Sequence, residues 1–190
     1  MSSDRTSNGS SSKSWLEKIF SRFGNEPTSK ADVVEILREA RNSDLFDGEA
    51  LTMMEGVLQV SDLQVRDIMI PRAQMSAVRR DDPLEVIIPM VIESAHSRLP
   101  VLGDDRGEVV GIILAKDLLQ FCGERAKRFS IRDVLRSAVF VPESKRLNVL
   151  LKEFRASRNH MAIVVDEYGA AAGLVTIEGV LEQTVGEIGG

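Results

Sequence analysis

Disulfide chemistry has no foothold in this sequence. Cys122 is the single cysteine among 190 residues, so no intramolecular disulfide can form and a reducing compartment is the expected setting. Histidine is almost as scarce, with only His96 and His160. Neither stands at a metal-ligand spacing, and one cysteine cannot complete a structural zinc site; no metal-ligating residue is assigned. Long apolar runs are absent too. No stretch approaches the roughly 18 residues that a membrane-spanning helix requires. Residues 1–13 are rich in serine and lack the apolar stretch of a signal peptide. The expected location is therefore the cytoplasm, peripheral to the inner membrane if a membrane partner is served. Positive charge is not in excess, the net charge being -5, which argues against a nucleic-acid partner. No G-x-S-x-G element, no P-loop and no Ser/His/Asp set occurs, so no enzyme is expected.

What is present begins with a polar tail, residues 1–30, expected to be disordered or partly helical. Within it Trp15, Leu16, Ile19, Phe20 and Phe23 recur at helical spacing beside Lys13, Lys18 and Arg22. That stretch suits packing on the chain itself or on a partner, with a membrane surface as the alternative. A helical lead-in follows over 31–61. Thr28 or Ser29 can cap a first helix near 31–41, and Asp47 a second that runs to about Val60. From residue 62 the pattern changes to α/β. Strand-like runs lie at Met75–Val78, Leu99–Leu102, Val109–Leu114, Ala138–Val141, Met161–Val165 and Gly173–Thr176. Helical segments fall near 83–95, 115–121, 146–157 and 177–186.

The pattern occurs twice. Residues 97–119 align with 159–181 at an offset of 62 without a gap, so that Asp104 meets Asp166, Gly107 meets Gly169 and Gly111 meets Gly173. Upstream the offset is 63 at Ala77-Val78 and Leu84, and 66 at Arg66–Met69. Each unit reads as a lead-in, a strand, a helix, a two-stranded hairpin and a closing helix. Glycines in the hairpin turns supply positive φ. A unit this small buries a modest core alone, so a packed pair with two related clefts is expected.

This β-α-β-β-α duplication resembles a tandem pair of cystathionine-beta-synthase (CBS) domains, a Bateman module, with a first domain over 62–124, a second over 125–187 and a short tail at 188–190. The segments VRDIMIPRAQM (65–75), IESAHSRLPV (92–101), GIILAKDLL (111–119), 141–169 and GLVTIE (173–178) carry the likeness, and MMEGVLQVSD (53–62) extends it into the lead-in. They are similar to the magnesium and cobalt efflux branch of that family. The resemblance implies an α/β (α+β) fold of pseudo-twofold symmetry. It also implies a non-catalytic regulatory role, AMP or ATP as ligand with Mg2+ accompanying the phosphates, homodimerisation through the CBS pairs and a membrane cation transporter as partner. It implies as well a small C-terminal domain after a segment like VGEI (185–188), expected to lie outside this chain.

The family's phosphate and ribose motif reads Gly-h-x-Thr/Ser-x-x-Asp, where h is apolar. Gly111 opens the first copy, which keeps the carboxylate, Asp117, but has Leu114 at the hydroxyl position. Gly173 opens the second, which keeps the hydroxyl, Thr176, but has Gly179 at the carboxylate position. Glu178 is adjacent, yet one residue along a helix turns it away by about 100°. The resemblance implies that each cleft mixes both copies. One joins Thr176 to Ser97, Arg98, Leu99, Pro100 and the Ile70-Pro71 lead-in, with Arg98 as phosphate partner. The other joins Asp117 to His160, Arg158 and Val141. Thr176 and Asp117 also suit plain helix N-terminal roles. Two readings compete with nucleotide binding: a bare dimerisation or docking module, and a direct divalent-cation sensor using Asp81-Asp82 and Asp104-Asp105.

Overall fold

The computed structural model describes residues 17, 21, 27–105, 107–121 and 123–185. The amphipathic stretch 15–23, apart from Glu17 and Ser21, lies outside the described residues, as do Cys122 and the 188–190 tail. The chain divides into two compact units, residues 1–59 with 183–190 and residues 60–182.

The first unit contains α1 (Lys30–Asn42) and α2 (Gly48–Val60). Ser29 rather than Thr28 is the N-cap of α1. Its hydroxyl accepts the Asp32 N–H at 3.2 Å, and Asp32 accepts the N–H groups of Ser29 and Thr28 at 2.9 and 3.0 Å. This reciprocal box satisfies donors that a helix start leaves open. The Thr28 N–H, with help from the Ser29 hydroxyl, holds the Asp32 carboxyl below its ordinary value. The Asp32 half of the box is thus charged at neutral pH and weakens as pH falls through that lowered value, while the Ser29 hydroxyl still accepts the Asp32 N–H. Asp47 caps α2 through the Ala50 N–H at 2.8 Å, and Arg38 pairs with Glu55 at 2.9 Å.

The second unit is the duplicated α/β body. Its elements are α3 (Val65–Ile68), β1 (Ile70–Pro71), β2 (Val78–Arg79), α4 (Leu84–Ser94), β3 (Arg98–Leu102) and β4 (Val109–Leu114), then β5 (Phe140–Pro142), α5 (Leu147–Ser157), β6 (Met161–Val165), β7 (Ala171–Thr176) and α6 (Ile177–Val185). In each copy a helix crosses between parallel strands, β2 to β3 and β5 to β6, and a hairpin then adds an antiparallel strand, β4 or β7.

The lead-ins are exchanged. β1, from the first copy, pairs with β7 of the second, Ile70 opposite Leu174 and Pro71 opposite Gly173. Reciprocally, Arg136 of the second lead-in bridges Ile112 of β4 through backbone bonds of 2.8 and 2.9 Å. The cores follow the same exchange. Val65, fully buried, packs with Val141, Leu147, Phe154 and Val164 of the second copy, whereas Ile131 and Val134 pack with Ile87, Leu99 and Ile113 of the first. A third cluster, Val109, Met161, Ile163, Ala171 and Leu174, joins the copies.

The repeat alignment needs one correction. Leu99 faces Ile113 and Ala162 faces Val175, so the copies are offset by 63 up to the hairpin turn and by 62 after it. The turn of the second copy is one residue shorter, and Gly103 rather than Asp104 is the partner of Asp166: each closes its turn through its N–H, onto Glu108 and Ala170. Arg98 then corresponds to Met161, and Ser97 to His160. The α4 and α5 helices end alike, on Ala95 and Arg158 with φ of 55° and 56°.

Two segments also differ from expectation. Met75–Val78 is a strand only from Val78, because a 3-10 turn at Arg72–Gln74 carries the chain across to the other copy. Residues 115–121 form a 3-10 helix instead of the α-helix of the second copy, and a further 3-10 turn spans Gly123–Arg128. The tight winding folds the connection back so that Phe121 meets Phe129 edge-on at 5.1 Å beneath Ile131.

Gly111 and Gly173 are fixed by the exchange. A Cβ on either would fall inside contact distance of the backbone carbonyl of Arg136 or Ile70. Gly111→Ala and Gly173→Ala are expected to cost about 1–3 kcal/mol each, the usual penalty of overpacking. Gly48→Ala, whose added carbon meets only the flexible Arg41 side chain at 3.9 Å, is the control. Thermal unfolding of the three variants checks this.

Candidate functional site

A cavity of about 350 Å³ opens where the exchanged lead-in, the start of β3 and the end of β7 converge. Ile70, Met75, Met161 and Leu174 give it apolar walls, and Ser97, Arg98, His160, Thr176 and Glu178 give it polar ones. Each position has a local cause. The left-handed cap at Ala95 ends α4 and turns the chain so that Ser97 and Arg98 enter β3 at the cavity rim. Thr176 ends β7 and caps α6, its Oγ1 accepting the Gly179 N–H at 3.1 Å. The hydroxyl proton remains available to an acceptor in the cavity. Arg98 is half-buried and forms no ion pair among the described residues. His160 Nδ1 lies 3.9 Å from Glu178 Oε1, beyond hydrogen-bond length. Together the walls offer an apolar slot beside a guanidinium, two hydroxyls and a helix N-terminus, a combination that suits a flat apolar ring carrying an anionic tail.

The structure brings Ile70, Ser97, Arg98 and Thr176 together as the first cleft requires. Pro71 pairs beside them on β1 without lining the cavity. Leu99 is fully buried in the first core and Pro100 is buried within β3, so neither offers its side chain.

The second cleft is not assembled as expected. Val141 is 1% exposed because its strand position points into the second core. His160 lines the first cavity, because its carbonyl accepts the Ile177 N–H at 3.0 Å and so holds it beside Thr176 and Glu178. Arg158 is exposed at the left-handed cap of α5. Asp117 instead meets Arg136, whose Nε and Nη2 approach the same carboxylate oxygen at 2.9 and 2.8 Å. Asp117 and Arg136 share a smaller pocket of about 250 Å³ with Gln120, Asp133, Val134 and Leu135.

Glu178 is a second correction. It faces the cavity because the cavity abuts the first turn of α6, where neighbouring positions both reach the rim. Gln74, Met75, Ser76 and His96 also line the cavity. Their one legible signal is adjacency to the motif residues; the lead-in exchange that brings 74–76 there leaves no mark in the repeat. Among the described residues no group of three His, Cys, Asp or Glu side chains is placed to hold a metal ion, and no helix is long and apolar enough to cross a membrane.

Two swapped lead-ins, two hairpins and a cleft at the end of the Gly-h-x-Thr strand define a class. The family model for the CBS domain matches residues 65–124 and 131–186, and the chain belongs to the CBS-domain family as a tandem pair. The model for the N-terminal region of NMB0537 matches residues 25–60. Within the family the chain is similar to the magnesium and cobalt efflux protein CorC of Vibrio cholerae, 46% identical over 97% of this chain and 63% of that protein. The chain thus spans less than two thirds of that relative. A solved CBS domain of the bacterial CNNM/CorC family Mg2+ transporter is 38% identical, with a TM-score of 0.77 over 86% of this chain and all of that one. A solved complex of that family's CBS domain with ATP is 42% identical, with a TM-score of 0.67 over 72% of this chain and 96% of that one.

The Thr176 cap has a measurable share in stability. Thr176→Val removes the acceptor for the Gly179 N–H and is expected to cost about 1 kcal/mol, whereas Thr176→Ser retains the cap. Urea unfolding of both variants separates the capping contribution from any effect on ligand.

Proposed function

We propose that this CBS pair is a non-catalytic sensor that binds an adenine nucleotide, AMP or ATP, in the 350 Å³ cavity. The observation that carries the reading is Arg98: a half-buried cation without an ion-pair partner among the described residues, lining the same cavity as the Thr176 hydroxyl and the apolar Ile70, Met75 and Leu174. Arg98, Ser97 and Thr176 take the phosphate, and Ile70, Met75 and Leu174 enclose the base. Leu99, Pro100 and Pro71 serve indirectly, by holding the strands that carry Arg98 and Ile70. The ATP complex of a related CBS domain supports the same ligand class. Mg2+ enters with the nucleotide phosphates, since the described residues hold no ready cluster for a bare ion.

For the whole protein we propose regulation of magnesium and cobalt efflux from the cytoplasmic side of a membrane transporter, a reading that the CorC likeness supports. The domains we assign are a lead-in over 31–61 and CBS domains over 62–124 and 125–187. Exposed apolar side chains on the helical faces, Val86, Ile92, Val149 and Leu181, suit a homodimer that transmits the bound state. Such a switch requires unequal affinity for two arrangements of the pair.

Calorimetry with AMP, ADP and ATP, each with and without Mg2+, tests the reading. Arg98→Ala is expected to weaken binding about tenfold or more, since a charge-assisted hydrogen bond contributes roughly 1.5–3 kcal/mol. Thr176→Ala weakens it less. Gly179→Asp restores the missing ribose carboxylate, and its Cβ fits 3.4 Å from Thr176 Oγ1; tighter binding is expected. Absence of saturable binding to all three nucleotides would overturn the proposal and leave a docking module.

A further inference from the structure

We infer that Arg136 is a built-in occupant of the second cleft, and that it makes the pair a one-nucleotide receptor by holding Asp117. The inference rests on the nucleotide reading above and concerns how many of the two clefts can take the ligand.

The exchange of lead-ins gives each cleft an equivalent wall. In the first cleft the wall residue is Ile70, held opposite Leu174 on β7. In the second it is Arg136, held opposite Ile112 on β4. Ile112 and Leu174 occupy the same place in the two copies, so Ile70 and Arg136 do as well. The side chains differ in consequence. Ile70 lines an open cavity. Arg136 reaches from the same place to the carboxylate that the motif supplies, with two guanidinium nitrogens on one oxygen of Asp117 at 2.8 and 2.9 Å.

Three features favour this contact, in which the Arg136 side chain is itself 53% exposed. The Arg136 backbone is fixed in both directions, its N–H on the Ile112 carbonyl and its carbonyl accepting the Ile112 N–H. Gly111 lets that backbone pass at close range. Asp117 is only 19% exposed, so its carboxylate is partly withdrawn from water. A ribose diol approaching Asp117 offers neutral donors and must displace charged ones, which form bonds about twice as strong. The surrounding pocket is also built differently from the open cleft. None of residues 158–161 lines it, and besides the Asp117–Arg136 pair its lining is Gln120, Asp133, Val134 and Leu135, without a hydroxyl.

The two half-motifs therefore have different standing. Thr176 serves an open cleft without a ribose carboxylate, while the carboxylate at Asp117 is satisfied internally. Loss of the hydroxyl at Leu114 and capture of Asp117 by Arg136 act in the same direction.

The test is ATP binding by calorimetry, with and without Mg2+, on the whole chain and on Arg136→Ile, which copies Ile70, and Arg136→Gln, which keeps a polar side chain. The unmodified chain is expected to bind one ATP. Each variant is expected to gain a second site, with affinity at the Asp117 cleft raised roughly tenfold, the factor corresponding to about 1.4 kcal/mol. Adding Asp117→Asn is expected to remove the new site and leave the first, and adding Thr176→Ala to weaken the first and leave the new one. Circular dichroism shows which variants are folded, and the charge-neutral Arg136→Gln serves if Arg136→Ile is not. Two ATP per unmodified chain, or a folded Arg136 variant with unchanged stoichiometry, overturns the inference. So does binding that is lost with Arg136, which would make it a phosphate ligand. If the unmodified chain binds none, the first-cleft reading fails by itself; the inference then stands only if an Arg136 variant binds one ATP through Asp117.

Discussion

The reciprocal passage of each lead-in over the other copy's glycine is the constraint on which the remaining architecture depends. The carbonyl of Ile70 lies over Gly173 and that of Arg136 over Gly111, in space that no side chain can share. Because of these two crossings Val65 belongs to the second core and Ile131 to the first. The cavity owes its apolar wall to one crossing and the Asp117 contact to the other. Motif glycines are easily regarded as part of a ligand-binding loop. Here their first service is to the chain itself, and the cavity exists because the backbone has been allowed so close.

Much of the fold was legible because the duplication supplies its own control. Apolar alternation located β3, β4, β6 and β7 to within two residues, and Asp47 marked its cap correctly. The first cleft was legible in part, through Thr176, Arg98 and Ser97. What escaped was whatever depends on contacts between residues distant in the chain. The one-residue difference in turn length is invisible to an alignment that can place glycine on glycine without a gap, and the backbone bond that ties His160 to Ile177 beside the first cavity has no sequence signal. Val141 has the sequence neighbours of a wall residue, although strand parity sends its side chain inward. The capture of Asp117 by a residue 19 positions away has no periodic or motif signal at all.

The pair is also less symmetric than its topology. Equivalent helix ends share a left-handed residue with nearly equal φ, and equivalent serines, Ser94 and Ser157, bond back to their own helices. The closing segments diverge, a tight 3-10 run in the first copy and a capped α-helix in the second. The first returns the chain to supply Ile131 and Val134 to the core it has just left, whereas α6 supplies Val180 to the second core directly. Shape is preserved where both copies need it and released where only one does.

The pairing of Ile70 with Leu174 has a kinetic side. It closes a loop of about 100 residues, and contacts so distant in sequence are entropically the slowest to gain. The β3–β4 and β6–β7 hairpins are local and need no such closure. Assembly is therefore expected to run from hairpins to crossovers to the two crossed lead-ins, with the cavity wall arriving last. A nascent chain lacks this cavity until β7 has been synthesised and β1 has crossed to it, so the presence of the cavity would also certify that the body of the pair has folded.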